Sequence, residues 1–302
     1  MSDTPLILYI PGLKPKPQPD VHREQLWRCL LAGLRNADPS VAGSVEASPR
    51  SFEIVSWTYD FYREHRDIEL DRESIDALIE KTRADNRDIA EASAWQRRLL
   101  RAIYRIGDRL PFLIPKLADE NMELHLRDIR RYVRNTDDGA ATARRHLKMP
   151  LRAAAKAGRP VLLIAHSMGS VIAWDVLWEL SREGDYDGRV DLFMTIGSPL
   201  GQRYIQRRLH GAKLAGAERY PDVIRHWINI AAIGELTALD RTLADDFGEM
   251  QRLGLLQSID DIEVFNWFRI DGVLNVHAEY GYLANGEVAA QIANWWKSHQ
   301  RN

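Results

Sequence analysis

One cysteine, Cys29, stands in the whole 302-residue chain. A disulfide within the chain is excluded, and so is a metal site built on a cysteine pair. Cys29 falls inside an apolar helical pattern, where a thiol serves as a small core residue. A chain without a disulfide fits a reducing compartment, and a cytoplasmic location is expected. The first residues, M-S-D-T-P-L-I-L-Y-I-P-G, lack a basic start, and their apolar run is too short for a signal peptide. No apolar stretch reaches the roughly 20 residues of a transmembrane helix. A surplus of one charge is missing too. The formal net charge is -2, so no general attraction to nucleic acid or an acidic membrane is expected. There is no H-x-x-x-H, no H-E-x-x-H, no G-x-x-x-x-G-K-[ST], and no G-x-G-x-x-G after a strand. Neither a metal nor a cofactor is expected. Internal repeats and low-complexity tracts are absent as well.

What is present is enough apolar sequence, 45% of the chain, to bury a large core. The stretch Pro160 to Leu180 organises the rest. Val161 to Ala165 is a short apolar run bounded by Gly158 and Pro160, which predicts a buried strand. Ser170 to Leu180 is apolar almost all round, with only Asp175 and Glu179 charged, which predicts a buried helix. Between them lies Ala165-His166-Ser167-Met168-Gly169. Its small-x-Ser-x-small pattern fits a nucleophile elbow. A chain that turns from strand to helix at one residue strains that residue and brings its second neighbours together, so both must be small. The turn lifts the Ser167 hydroxyl clear of the sheet, and the helix N-terminus favours negative charge beside it.

The rest of the chain alternates strands and helices. Leu6 to Ile10 predicts a strand ending at Pro11-Gly12, followed by an extended K-P-K-P-Q-P loop. Asp20 is the expected N-cap of a helix in which Trp27, Leu30, Leu31 and Leu34 share a face. Phe52 to Tyr59 predicts a second strand. Tyr62 to Asn121 is helical and charged, and far longer than an ordinary crossover. It is expected to be a helical cap laid over the sheet, inserted in a single domain of residues 1–302. Within it, Trp95 to Leu117 carries an apolar face with interleaved arginines. That face packs on the sheet, or it presents a lipid- or acyl-binding surface in peripheral contact with a membrane. Met122 to Val133 predicts a further helix, Asp137-Asp138-Gly139 a turn, and Ala140 to about Ala157 a helix with a kink expected at Pro150. Strands are predicted at Val190–Ile196, Ile224–Ala231 and Ile262–Ile270, and a last helix at Val288–Trp296.

This order indicates α/β architecture with a mainly parallel, doubly wound sheet. Functional groups in such a sheet lie on loops at the carboxyl ends of strands. Ser167 meets that condition. Glu235 and Asp240 meet it after the Ile224–Ala231 strand, and His277 meets it after the Ile262–Ile270 strand. Ser198 is a rival serine, but Pro199 offers no backbone N–H behind it. His166 is expected to be structural.

The motifs I-P-G-L at 10–13, A-H-S-M-G-S at 165–170, I-G-S-P-L at 196–200, W-I-N-I at 227–230 and N-V-H-A-E-Y-G-Y-L at 275–283 together resemble bacterial α/β-hydrolases of the serine esterase and lipase type. The resemblance implies a nucleophile at Ser167, a base at His277 and a triad acid at Glu235, with Asp240 as the alternative. It implies an oxyanion hole from the backbone N–H groups of Met168 and Leu13, after a loop that reads Pro11-Gly12 where the family commonly has His-Gly. Hydrolysis of a small-molecule or lipid carboxylic ester is the expected activity. The same machinery serves acyl transfer or thioester cleavage, and an inactive binding module is a further alternative.

Overall fold

The computed structural model describes residues 4–94, 120–235 and 242–300, the stretch 120–126 by its backbone alone. Six strands build the core: β1 (Leu6–Ile10), β2 (Phe52–Ile54), β3 (Val161–His166), β4 (Val190–Ile196), β5 (Ile224–Ala232) and β6 (Ser258–Val264). All neighbours pair in parallel, in the order β2-β1-β3-β4-β5-β6. Parallel strands need crossovers, and crossovers cover both faces, so the central strands are apolar on both sides. In β1, Leu6, Leu8 and Ile10 point to one layer while Ile7 and Tyr9 point to the other.

The first layer holds α1 (Pro19–Ala37), α2 (Pro39–Glu46) and α4 (Glu69–Glu80), with α11 (Glu279–Leu283) and α12 (Gly286–His299). The opposite layer holds α3 (Thr58–Tyr62), α6 (Glu120–Val133), α7 (Gly139–Ala157), α8 (Met168–Leu180) and α10 (Leu243–Arg252). Two short helices, α5 (Asn86–Ala92) and α9 (Arg203–Gln206), complete the described set. Crossovers are right-handed, so the face changes where the winding direction reverses. The chain steps outward from β1 to β2, then returns past β1 to β3 and proceeds toward β6. The reversal leaves a crevice at the carboxyl ends of β1 and β3, which is where a ligand site is expected in an open α/β sheet.

Several predicted boundaries are corrected. The second strand stops at Ile54, and the chain enters α3 by Thr58. Trp57 causes this: its indole N–H reaches back 2.9 Å to the Pro11 carbonyl, and that contact overrides the strand preference of the run. The Ile262–Ile270 run is divided. β6 ends at Val264, and Arg269–Ile270 forms a separate hairpin, β7, with β8 (Val273–Leu274). Asp271 and Gly272 both take positive φ, 51° and 76°, as a two-residue type I′ turn requires. Asp20 is not the cap of α1. The helix starts at Pro19, whose ring suits a first helical position, and Asp20 lies in the first turn. Pro150 sits within an unbroken α7.

Of the stretch 62–121, α4 and α5 are described, and Ile75 and Leu78 of α4 are buried in the α1 layer. Trp95 to Leu117 lies outside the described residues, as does Asp240. Among the described residues no helix is long and apolar enough to cross a membrane.

Candidate active site

Ser167 sits where β3 becomes α8, with φ 52° and ψ −125°. A side chain in that region is strained by roughly 1–3 kcal/mol and persists only where its surroundings enforce it. Three contacts do so. The Ser167 N–H donates to the Ile196 carbonyl at 3.0 Å, tying the turn to the end of β4. Gly169 lies so close to the loop after β1 that a Cβ there would stand 2.6 Å from the Ile10 carbonyl oxygen and 2.7 Å from that of Pro11. A Cβ on Gly12 would stand 2.7 Å from the Cβ of Ser167. Behind the turn, Trp174 of α8 is locked against Trp227 and Phe247, with ring centroids 5.9 and 4.9 Å away. Such pairs add roughly 0.5–1.5 kcal/mol each beyond their buried area.

The carboxyl ends of four strands bring four distant segments together. Gly12 follows β1, Ser167 follows β3, Gly197 follows β4 and Glu235 follows β5. His277 arrives from the loop after β8. Its Nε2 lies 3.0 Å from Ser167 Oγ, and its Nδ1 contacts Glu235 Oε1. An ionised carboxylate can only accept, so Nδ1 carries the proton and Nε2 is left to accept from the serine hydroxyl. Glu235 is fully buried, and its second oxygen accepts from the Tyr282 hydroxyl. The same hydroxyl accepts from the Ala232 N–H at 2.9 Å. Gly197, with φ 55°, makes room for this pairing: a Cβ there would come within 3.0 Å of Glu235 Oε1 and 3.1 Å of His277 Nδ1.

Three of the expected residues, Ser167, His277 and Glu235, are thus brought into one hydrogen-bonded line. Met168 is the first residue of α8, so its N–H has no acceptor within the helix. Leu13 follows Gly12 in the loop that crosses Ser167, and both residues are buried. Ser198 stands apart: its hydroxyl pairs with Ser170 Oγ at 2.7 Å and accepts from the Leu200 N–H at 3.2 Å. His166 is buried beneath the base. Its Nε2–H donates to the His277 carbonyl at 2.8 Å, and burial, with His277 close by, depresses its pKa to about 3. It is therefore neutral.

Tyr282 escapes sequence reasoning altogether, because its spacing from His277 does not reveal that it reaches Glu235. Glu279 escapes it for the same reason. A cleft of about 850 Å³ opens above Ser167 and His277. Its walls come from the Leu13–Pro17 loop, from residues around Arg66 and Leu70, and from Phe268 and Tyr280. Among the described residues no group of three His, Cys, Asp or Glu side chains is placed to hold a metal ion. Comparison of the chain with protein-family models, with curated proteins and with solved structures finds no match. A hydroxyl, an imidazole and a buried carboxylate in series are suited to proton removal from an attacking oxygen.

Proposed function

We propose that the protein is a serine hydrolase of α/β-hydrolase type, with residues 62–121 as its helical cap, and that it cleaves carboxylic esters through an acyl-enzyme on Ser167. The single observation that carries the reading is the Ser167 Oγ to His277 Nε2 approach of 3.0 Å, with Nδ1 of the same ring on a fully buried carboxylate. Support also comes from the strained φ of Ser167 at the sheet's winding reversal. In this mechanism His277 takes the Ser167 proton as Oγ adds to the ester carbonyl. The Met168 and Leu13 N–H groups hold the oxyanion, each worth roughly 3 kcal/mol to the transition state. Collapse breaks the ester C–O bond, and His277 returns the proton to the departing alkoxide. Water, deprotonated by His277 in turn, then releases the acid and restores Ser167. Glu235 holds the ring in the required tautomer and stabilises its cationic form.

Incubation with a fluorophosphonate, read by intact mass, tests this. One adduct on the wild type and none on Ser167→Ala is the expected result. An adduct of equal yield on Ser167→Ala, or none on the wild type, overturns the mechanism. With the nucleophile established, a panel of carboxylic esters read by product release tests the substrate class.

A further inference from the structure

The lining of the cleft includes a buried carboxylate that the Ser–His–Glu line does not use. Glu279 is 4% exposed. Burial pushes its carboxyl up, yet Lys16 and His22 outweigh that and hold it well below the ordinary carboxylate range. Its neighbours come from every element around it. The Tyr9 hydroxyl of β1 donates to Oε2 at 2.7 Å, and Lys16 Nζ donates to Oε1 at 2.7 Å. His22 Nε2 of α1 lies 3.1 Å from Oε1, and His166 Nδ1 of β3 lies 3.7 Å from Oε2. Tyr280, the next residue in α11, stays neutral beside it, because burial and the Glu279 charge both raise the pKa of its hydroxyl.

Desolvating a carboxylate this completely is unfavourable even when it is paired, and an apolar contact would fill the same space more simply. Position distinguishes this pair. Glu279 is two residues beyond His277. Lys16 is three residues beyond Leu13, in the proline-rich loop that walls the cleft. The ion pair therefore joins the segment carrying the base to the segment carrying one oxyanion donor. A second tie runs alongside, since His166 bonds the His277 carbonyl.

We propose that Lys16 and Glu279 are positioning residues, an ion pair that fixes the loop after β1 against the His277 loop so that base and oxyanion donor meet the same carbonyl. This rests on the reading of Ser167 and His277 as nucleophile and base. The proline-rich sequence K-P-K-P suits the role, because it stiffens the span from Leu13 to the Lys16 anchor.

The test is the rate of fluorophosphonate labelling of the full chain at varied probe concentration, which separates the maximal inactivation rate from probe affinity. Lys16→Met is the principal variant, since Lys16 lies at the rim, its side chain 14% exposed. Misplacement by an ångström or less predicts a maximal rate lower by roughly 10- to 100-fold, with affinity within about threefold and labelling still complete. Lys16→Arg keeps the cation and should restore the rate to within about threefold of wild type. Glu279→Gln should match Lys16→Met; if it fails to fold, the Lys16 pair of variants decides alone. A Lys16→Met rate within about threefold of wild type overturns the proposal. A wild type that takes no label at Ser167 refutes the nucleophile reading instead, and the positioning role falls with it.

Discussion

Replacing Gly169 by alanine adds one methyl group where α8 lies closest to the loop after β1. That Cβ would stand 2.6 and 2.7 Å from two backbone carbonyl oxygens, of Ile10 and Pro11. Backbone atoms at the end of a central strand cannot swing aside as a side-chain tip can. Either α8 moves away from β1 or the Pro11–Leu13 loop shifts, and overpacking of this kind costs roughly 1–3 kcal/mol. Gly248 provides the control. It is also helical, within α10, and a Cβ there meets nothing within 4 Å. Gly248→Ala should stabilise the protein by roughly 0.5–1 kcal/mol, the ordinary preference of a helix interior for alanine. The two variants should then differ by roughly 1.5–4 kcal/mol, which amounts to about 2–6 °C in melting temperature at this chain size. Differential scanning calorimetry reads the gap. Labelling of Ser167 reads the second consequence, because a displaced elbow should slow it by roughly 100-fold in Gly169→Ala alone. Equal melting temperatures and equal labelling rates in the two variants would refute the claim that close approach of α8 to the β1 loop sets the elbow.

Glu235→Gln leaves a neutral amide beside His277 Nδ1 and frees the ring to take the wrong tautomer, so esterase turnover should fall by roughly 10³- to 10⁴-fold. Asp240→Asn should change it by less than about threefold, and the opposite ranking would transfer the acid's role to Asp240. Tyr282→Phe removes the hydroxyl that serves both Glu235 Oε2 and the Ala232 N–H, leaving two buried polar groups unsatisfied. Urea unfolding should show a loss of roughly 1–3 kcal/mol, whereas no loss would mean that water replaces the hydroxyl. His166 has a folded pKa of about 3 against an ordinary 6.5, because burial disfavours its charged form. The unfolded chain takes up this proton first, so the associated stability is full above about pH 6.5 and is lost as pH falls toward 3. Between about pH 7 and pH 5 the loss is roughly 2 kcal/mol, and His166→Gln should show a pH dependence smaller by that amount. Identical pH dependence in variant and wild type would contradict the buried, neutral state of His166.

Local pattern and long-range packing divide what the residues alone disclose. The elbow is legible because its determinants are adjacent: the Val161–Ala165 run, the small Ala165 and Gly169, and an apolar helix directly after them. β4 and β5 are legible as apolar runs with turn residues at their ends. Glu235 and Asp240 cannot be separated by spacing, since both follow the same strand. The contacts of Glu235 with His277 and Tyr282 depend on how α11 docks, which no local pattern discloses. The link from Lys16 to Glu279 joins residues 263 positions apart. Neither residue signals it, because lysine and glutamate are ordinary surface types and the pairing is a product of topology. The Phe52–Tyr59 and Ile262–Ile270 runs mislead for a related reason. Their β-branched and aromatic residues serve packing at Trp57 and Phe268 as readily as a strand. The Asp271-Gly272 dipeptide, by contrast, is a local turn signal lying inside the second of those runs.

The strand order has a consequence for how copies of this chain meet one another. An open sheet ends in two strands whose outer N–H and C=O groups can template a further strand from another molecule. One such strand, β2, is only three residues long, too short to hold a visitor in register. The other, β6, reads Ser-Ile-Asp-Asp-Ile-Glu-Val, with Asp260 and Glu263 exposed along it. A second copy laid against β6 would set carboxylates against carboxylates, which destabilises a directly opposed pair. Short length on one flank and acidity on the other both oppose extension of the six-stranded sheet.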